Sequence, residues 1–184
     1  SDRAWFFENL QENLASHFNY GFESIFEHLK GQDGSVTDDN LRSLMFGDYI
    51  EPDATNRVYD EVLVVPKIAD VIKSKLDDYN QISKAPMNLV IFRFAVEHIS
   101  RISRILKQPG GHALLVGVGG SGRQSLTKLA AFMSDYQIFQ VEISKVYGKN
   151  EWREDLKKIL IKAGCDAQPV VFLFSDTQIK NESF

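Results

Sequence analysis

Apolar side chains recur at three- and four-residue steps through most of the first 85 residues, which is the spacing of amphipathic helices. Gly31 stands where a helix would end, and Thr37 is placed to cap the next one. Glycine, proline and asparagine interrupt the pattern over residues 47–66, which predicts a loop. The pattern predicts helices over residues 3–18, 22–29, 37–45 and 67–84.

Pro86 marks the predicted domain boundary, because the hydrophobic pattern changes soon after it. A helical pattern over 88–108 is followed at 112–117 by a short apolar run between glycines, typical of a strand buried on both faces. Helix, strand, helix and strand are then predicted over residues 123–133, 136–143, 151–163 and 170–174. This alternation predicts a parallel sheet flanked by helices, and three strands would leave it incomplete. The expected fold is α/β, with a helical bundle over 1–85 and an incomplete parallel sheet over 86–184.

Composition and charge narrow the classes of partner. The net charge of −4 and the absence of a basic stripe argue against nucleic acid. No apolar run approaches the roughly 18 residues of a membrane span. Cys165 is the single cysteine, so an internal disulfide is excluded, and the four histidines form no pair at metal-ligand spacing. We therefore expect a chain without nucleic-acid, membrane or histidine-metal contacts.

A glycine-rich segment carries the clearest chemical signal. It follows a predicted strand and opens a predicted helix, as a phosphate-binding loop does. Glycines let the backbone turn around an anion with its N–H groups pointing inward, and the start of the helix adds positive potential. The candidate phosphate-binding residues are Gly117, Val118, Gly119, Gly120, Ser121, Gly122, Arg123, Gln124 and Ser125.

Two positions of this loop depart from the usual spacing G-x-x-x-x-G-K-[ST]. Arg123 stands in place of lysine, which keeps the charge on a larger, planar group. Gln124 stands in place of the serine or threonine whose hydroxyl ligates Mg²⁺, and Ser125 is displaced from that position by one residue. A glycine-rich turn without any ligand remains the alternative for this segment.

The apolar run 170–174 ends in Ser175 and Asp176, where a phosphate-loop enzyme carries an acidic pair. Serine offers no carboxylate to a metal, and aspartate is one methylene shorter than the glutamate that usually polarises water. Asp176 as an ordinary turn residue is the alternative. Because both positions depart from the usual acidic pair, no catalytic residue is assigned. Nucleotide binding is expected to be retained better than nucleotide hydrolysis.

The segments GVGGSGRQS and FSDTQIKNESF, together with PMNLVIFRFAVEHISRISRILKQPGGHALLV, resemble the fourth AAA+ module of axonemal dynein heavy chains. The part before Pro86, with LRSLMFGDYI and RVYDEV, is similar to the helical lid of the third module of that family. The resemblance covers essentially the whole chain. It implies a P-loop NTPase fold, with the Walker A positions at 117–125 and the Walker B positions at Ser175 and Asp176.

The resemblance also implies a setting and partners. Members of this family fold six AAA+ modules into a ring, hydrolyse ATP mainly at the first module and move on microtubules through a stalk. The fourth module is regarded as a regulatory site for ATP or ADP, and Gln124 and Ser175 leave the role of Mg²⁺ open. Leu89 and Val90 become candidates for the adenine pocket. Neighbouring modules, microtubules and other axonemal dynein subunits are the implied partners, in the cytoskeleton of a cilium or flagellum.

Three functions fit these observations. The first is a motor segment whose regulatory nucleotide site turns ATP over weakly or not at all. The second is a structural AAA+ spacer with a vestigial pocket that binds no nucleotide. The third, a small stand-alone NTPase or kinase, is disfavoured because a helical unit precedes an incomplete sheet.

Overall fold

A computed structural model describes residues 2–51, 57–62 and 65–179, except for the side chains of residues 65 and 66. The predicted loop residues Pro52, Asp53 and Asn56, and the end of the FSDTQIKNESF segment at 180–184, lie outside this described part. The chain divides into two compact units, residues 1–45 and 46–184. Among the described residues, no helix has the length and apolar character needed to cross a membrane.

The first unit is helical, as the sequence predicts. It contains α1 (Asp2–His17), α2 (Phe22–Ile25), a 3₁₀ turn (Glu27–Leu29) and α3 (Asp38–Leu41). The Thr37 hydroxyl accepts a hydrogen bond from the Asn40 backbone N–H at 3.3 Å, so Thr37 caps α3 as expected. Phe22 is buried, and its ring packs edge-on against the ring of Phe7 at 5.4 Å.

The second unit begins with a short antiparallel pair that the sequence does not predict. Strand β1 (Phe46–Gly47) pairs with β2 (Asp60–Glu61). This segment contacts α5 (Arg93–Lys107) through a buried hydrogen bond between the Tyr49 and Ser100 hydroxyls and an ion pair between Asp48 and Lys107. Burial raises the pKa of the Tyr49 hydroxyl. Residues 46–61 therefore belong to the same compact unit as the later helices.

Three helices form the main core of the second unit. Helix α4 (Val65–Ile82) packs against both α5 and α6 (Arg123–Met133), and α5 packs against α6. The side chains of Ile68, Ile72, Ile99 and Leu129 are fully buried between them. This packing explains the helical apolar spacing on which α4, α5 and α6 were predicted.

Helix α5 begins at Arg93, five residues later than the sequence predicts. The side chain of Asn80 fixes the preceding segment, because its amide oxygen accepts from Met87 N–H at 2.7 Å and its amide nitrogen donates to Met87 C=O at 2.9 Å. Residues 85–92 are held outside the helix at this point. The apolar residues of this segment therefore do not continue the stripe of α5.

Two strands form a parallel sheet, as predicted. Strand β3 (Gln137–Gln140) pairs with β4 (Val170–Leu173), in the register Gln137 to Val170 and Gln140 to Leu173. Helix α6 packs against both strands. The connecting helix α7 (Lys149–Leu160) places Trp152 against the rings of Phe172 and Phe174, at 6.0 and 5.9 Å. Parallel pairing with flanking helices confirms the predicted α/β fold class.

The strand predicted over 112–117 is not formed, and this prediction is wrong for the described chain. Leu114 and Val116 are 90% and 84% exposed, although their sequence is typical of a doubly buried strand. A strand needs a hydrogen-bonded neighbour, and no described segment pairs with 112–117. Among the described residues, β4 pairs only with β3. The run 112–117 is therefore irregular chain outside the two-stranded sheet.

Candidate functional site

The glycine-rich loop turns sharply into the start of α6. Gly120 and Gly122 adopt left-handed backbone conformations, with φ of 78° and 76°. Residues with a Cβ rarely adopt this region, which is why glycine is needed at both positions. Gly122 is the residue that immediately precedes α6, so the turn aims the loop backbone at the positive end of that helix.

The backbone of the loop is open to a ligand. A Cβ built on Gly119, Gly120 or Gly122 would meet no atom within 4 Å. Within the described residues, the N–H groups of these three glycines take part in no hydrogen bond, whereas Ser121 N–H reaches Val118 C=O at 3.4 Å. Free N–H groups beside a helix start are the donors that hold phosphate. The loop therefore fits a phosphate group.

Arg123 is turned back onto its own loop. Its guanidinium donates to the backbone oxygens of Leu115 at 3.1 Å and Val118 at 3.2 Å. The planar fork of an arginine can hold two carbonyls at once, which a lysine ammonium cannot do in the same geometry. The arginine at this position thus fixes the entry to the loop as well as supplying positive charge.

We expect Arg123→Ala to loosen this entry. Two charge-assisted hydrogen bonds would be lost, each contributing about 1.5 kcal/mol or more. Cleavage within residues 115–121 of the full-length protein by a broad-specificity protease, followed by mass spectrometry, should become about tenfold faster or more. Lys128→Ala, on the same helix, is the matched control and should leave this cleavage unchanged. Equal cleavage in the two variants would contradict the role given to Arg123.

Gln124 contacts a residue that sequence reasoning did not find. Its amide oxygen accepts a hydrogen bond from the amide nitrogen of Gln140 at 3.2 Å. Gln140 is the last residue of β3, and it reaches Gln124 because α6 packs on that strand. Gln124, at the position that usually carries a metal-ligating hydroxyl, is therefore linked to the sheet through a hydrogen bond between two side-chain amides.

Ser175 is the N-cap of a short 3₁₀ turn (Asp176–Gln178) at the end of β4, and Asp176 is the first residue of that turn. The Ser175 hydroxyl lies 2.9 Å from the Thr177 hydroxyl, and one Asp176 carboxylate oxygen accepts from Thr177 N–H at 2.9 Å. Buried Gln178 joins this turn to β3, accepting from Ser175 N–H at 2.8 Å and donating to the backbone oxygen of Val141. Both Walker B positions thus have local structural partners.

An open cleft of about 1210 Å³ brings the two halves of the candidate site together. Residues 110–116, 120–125 and 169–176 line it, so Gly120 to Ser125 share one cleft with Ser175 and Asp176. Gly117, Val118 and Gly119 belong to the same loop but do not line the cleft. Leu89 and Val90 do not line it either; Leu89 is half-buried and Val90 is 77% exposed.

The donor set in this cleft does not fit Mg²⁺, which prefers several oxygen ligands including carboxylates. Gln124 uses its amide oxygen on Gln140, and Ser175 offers only a hydroxyl that already contacts Thr177. Among the described residues, Asp176 is the only acidic side chain lining the cleft, and one of its oxygens accepts from Thr177 N–H. Within the described residues, no group of three or more His, Cys, Asp or Glu could hold a metal.

The open glycine loop, the parallel sheet and the flanking helices define a P-loop module. Residues 87–184 match the family model described as P-loop containing dynein motor region D4. Since the match covers more than half of the 184 residues, the chain belongs to this family.

Over its whole length the chain is similar to axonemal dynein heavy chains, which confirms the resemblance found in the sequence. It is 51% identical over 183 residues to dynein axonemal heavy chain 3 of Mus musculus, covering 100% of this chain and 4% of the relative. It is 55% identical over 161 residues to dynein axonemal heavy chain 12 of Homo sapiens, covering 86% of this chain and 5% of the relative. Identity to dynein axonemal heavy chain 1 of Rattus norvegicus is 47% over 189 residues, covering 99% and 4%. The chain thus spans 4–5% of the length of these relatives.

Proposed function

We propose that this chain is part of a ciliary microtubule motor, a dynein heavy chain ring, and carries a regulatory nucleotide site in the loop 117–125. ATP or ADP binds there, and hydrolysis is weak or absent. The similarity to axonemal dynein heavy chains supports the motor, the axonemal location and the proposed partners. Those partners are neighbouring AAA+ modules, microtubules and other axonemal dynein subunits.

The proposed modules meet near Pro86. Residues 1–85 are the helical lid of the preceding module, and 86–184 are the amino-terminal part of the next; the family match beginning at residue 87 supports this boundary. Helix α4 of the lid packs against α5 and α6. A movement of the lid at α4 would therefore be transmitted directly to the helix that opens from the glycine loop.

The observation that carries nucleotide binding is the open backbone of the loop. Within the part of the chain that the structure describes, the N–H groups of Gly119, Gly120 and Gly122 have no hydrogen-bond partner, and the cleft beside them is large enough for a nucleotide. Leu89 and Val90 remain the proposed adenine contacts, since Val90 is largely exposed and free to pack on a base.

Weak hydrolysis follows from the local roles of Ser175 and Asp176. Phosphoryl transfer depends on charge held at the β- and γ-phosphates and on a residue that orients the attacking water. Ser175 lacks a carboxylate, and one oxygen of the short Asp176 side chain already accepts from Thr177 N–H. A catalytic group displaced by about 1 Å can cost on the order of 10²-fold in rate. The nucleotide therefore acts as a switch or a strut.

Asp176→Asn tests this proposal in the intact heavy chain. Asparagine keeps an oxygen that can accept from Thr177 N–H, so the turn should survive. Microtubule-stimulated ATPase is expected to change by less than about twofold, well under 1 kcal/mol in barrier. Asp166→Asn, outside the cleft, is the matched control. A several-fold loss of ATPase with normal folding and nucleotide occupancy would overturn the inactive-site proposal.

The contacts of Arg123 favour one alternative, a structural spacer that binds no nucleotide. A guanidinium held by Leu115 and Val118 stabilises the loop without a ligand. The two proposals differ in what the purified heavy chain carries. Photolabelling with an azido-adenine nucleotide, followed by mass spectrometry, would yield labelled peptides from residues 87–179 if the site binds. A complete absence of label there would favour the spacer.

A further inference from the structure

The hydrogen bond between Gln124 and Gln140 sets the direction in which Gln124 faces. Gln124 lines the cleft with Asp176, whereas Gln140 does not line it and contributes to a separate recess beside α7. The amide oxygen of Gln124 accepts from Gln140, so it is turned toward a residue outside the cleft. The amide nitrogen, on the other side of the same planar group, is left for the cleft.

This orientation decides which ions Gln124 can contact. An amide oxygen is a possible ligand for Mg²⁺, whereas an amide NH₂ carries two donors and binds only acceptors such as phosphate oxygens. With its oxygen held by Gln140, Gln124 presents donors to the cleft. Gln124, which stands at the metal-ligand position of the loop, therefore contacts phosphate oxygens instead of a metal ion.

Among the described residues, no other group in the cleft restores a metal site. The Ser175 hydroxyl contacts Thr177, and Asp176 uses a carboxylate oxygen on the 3₁₀ turn. Ser125 lines the cleft, but it stands one residue past the position of the loop whose side chain ligates Mg²⁺. Positive charge at the loop comes from Arg123 and the start of α6.

We propose that Gln140 is a positioning residue that makes this site bind nucleotide without Mg²⁺. It does so by holding Gln124 with its amide nitrogen toward the phosphates. The inference rests on the proposed nucleotide site and adds to it the ionic form of the ligand, a metal-free nucleotide di- or triphosphate. It also assigns a role to a residue on β3, outside the loop and outside both Walker motifs.

The test uses the intact heavy chain and an azido-adenosine diphosphate as the probe. Label in peptides from residues 87–179 is measured against probe concentration, in excess EDTA and in excess Mg²⁺. For the natural chain, the half-labelling concentration in EDTA should be equal to or lower than that in Mg²⁺, because the described residues of the cleft offer Mg²⁺ no ligand set and Mg²⁺ in solution competes for the metal-free probe. Gln140→Leu frees the Gln124 amide and should weaken labelling in EDTA about tenfold, or about 1.4 kcal/mol.

Gln140→Glu gives the sharper result. A carboxylate cannot donate to the Gln124 oxygen; it accepts from the Gln124 NH₂ and turns the amide oxygen toward the cleft. Labelling should then become Mg²⁺-dependent, weaker in EDTA than in Mg²⁺ by about tenfold. Gln137→Glu, on the same strand, is the control, because Gln137 already accepts from Lys162 at 3.3 Å and glutamate keeps that contact.

The outcomes separate this inference from the proposed function. A natural chain that takes no label in residues 87–179 would overturn both. Label that depends on Mg²⁺ in the natural chain, or Gln140 variants that label like the natural chain in EDTA, would overturn the role of Gln140 and leave nucleotide binding intact. A purely structural role for Gln140 would weaken both conditions equally and create no metal dependence, which also contradicts the proposal.

Discussion

Replacing Gly122 with valine is expected to remove most nucleotide from this module of the intact heavy chain. Gly122 has φ of 76° and directly precedes α6. A β-branched residue in the left-handed region is a strong outlier, and the strain costs about 1–2 kcal/mol. The valine must either hold this strain or turn the backbone, and turning would move the N–H groups that face the phosphates. Azido-nucleotide labelling of residues 87–179 should therefore fall at least about tenfold.

Gly21→Val is the matched control for this result. Gly21 also immediately precedes a helix, α2, but its φ of −69° suits any residue, and a Cβ there meets no atom within 4 Å. We expect the control to label and to melt like the natural chain. Normal labelling of Gly122→Val, with the variant folded, would show that the loop backbone does not hold the nucleotide.

The sequence predicts those parts of the fold that local patterns determine. The three- and four-residue spacing of α4, α5 and α6 reflects the core that they share, and the alternation in β3 and the apolar run in β4 reflect a sheet with helices against it. Helices α4 and α6 and both strands lie close to the predicted positions. The helices do so because the apolar residues that define them are also residues that they bury. The cap at Thr37 is equally local, since its partner Asn40 is three residues away.

Elements that depend on distant partners could not be predicted in the same way. Residues 112–117 have the composition of a buried strand, but composition cannot supply the neighbouring strand that its backbone needs. The pair β1 and β2 is only two residues long on each side, too short to show any period. The start of α5 depends on the contact between Asn80 and Met87, which no hydrophobic pattern reveals.

The candidate site shows the same division. Spacing alone picks out the loop 117–125 and the strand end at Ser175 and Asp176, and the cleft contains parts of both. The partners of Arg123 and Gln124 are set by tertiary packing instead. Gln140 could have been noticed as a polar residue at the end of an alternating strand, but its contact with Gln124 exists only because α6 lies on β3.

Gln178 links the Walker B end of β4 to β3, and its loss is expected to have a large effect on the sheet. The side chain is 5% exposed, accepts from Ser175 N–H and donates to Val141 C=O. Gln178→Ala would leave the C=O of buried Val141 and the N–H of half-buried Ser175 without these partners, at about 1–3 kcal/mol for the buried carbonyl and less for the N–H. A total of about 3 kcal/mol corresponds to about 100-fold faster hydrogen exchange for the amides of β3 and β4 that open with this contact.

Gln168→Ala is the control, because Gln168 is an exposed residue shortly before β4. Hydrogen exchange of β3 and β4 in the intact heavy chain should stay unchanged in Gln168→Ala. In Gln178→Ala, Ser175 and Asp176 should also be released from their turn. If Ser175 and Asp176 serve to hold this turn and not to hydrolyse ATP, Gln178→Ala should disorder the cleft without raising the ATPase rate. Equal exchange in both variants would mean that Gln178 does not hold the strand ends together. The turn at Ser175 and Asp176 would then be held by contacts other than those of Gln178.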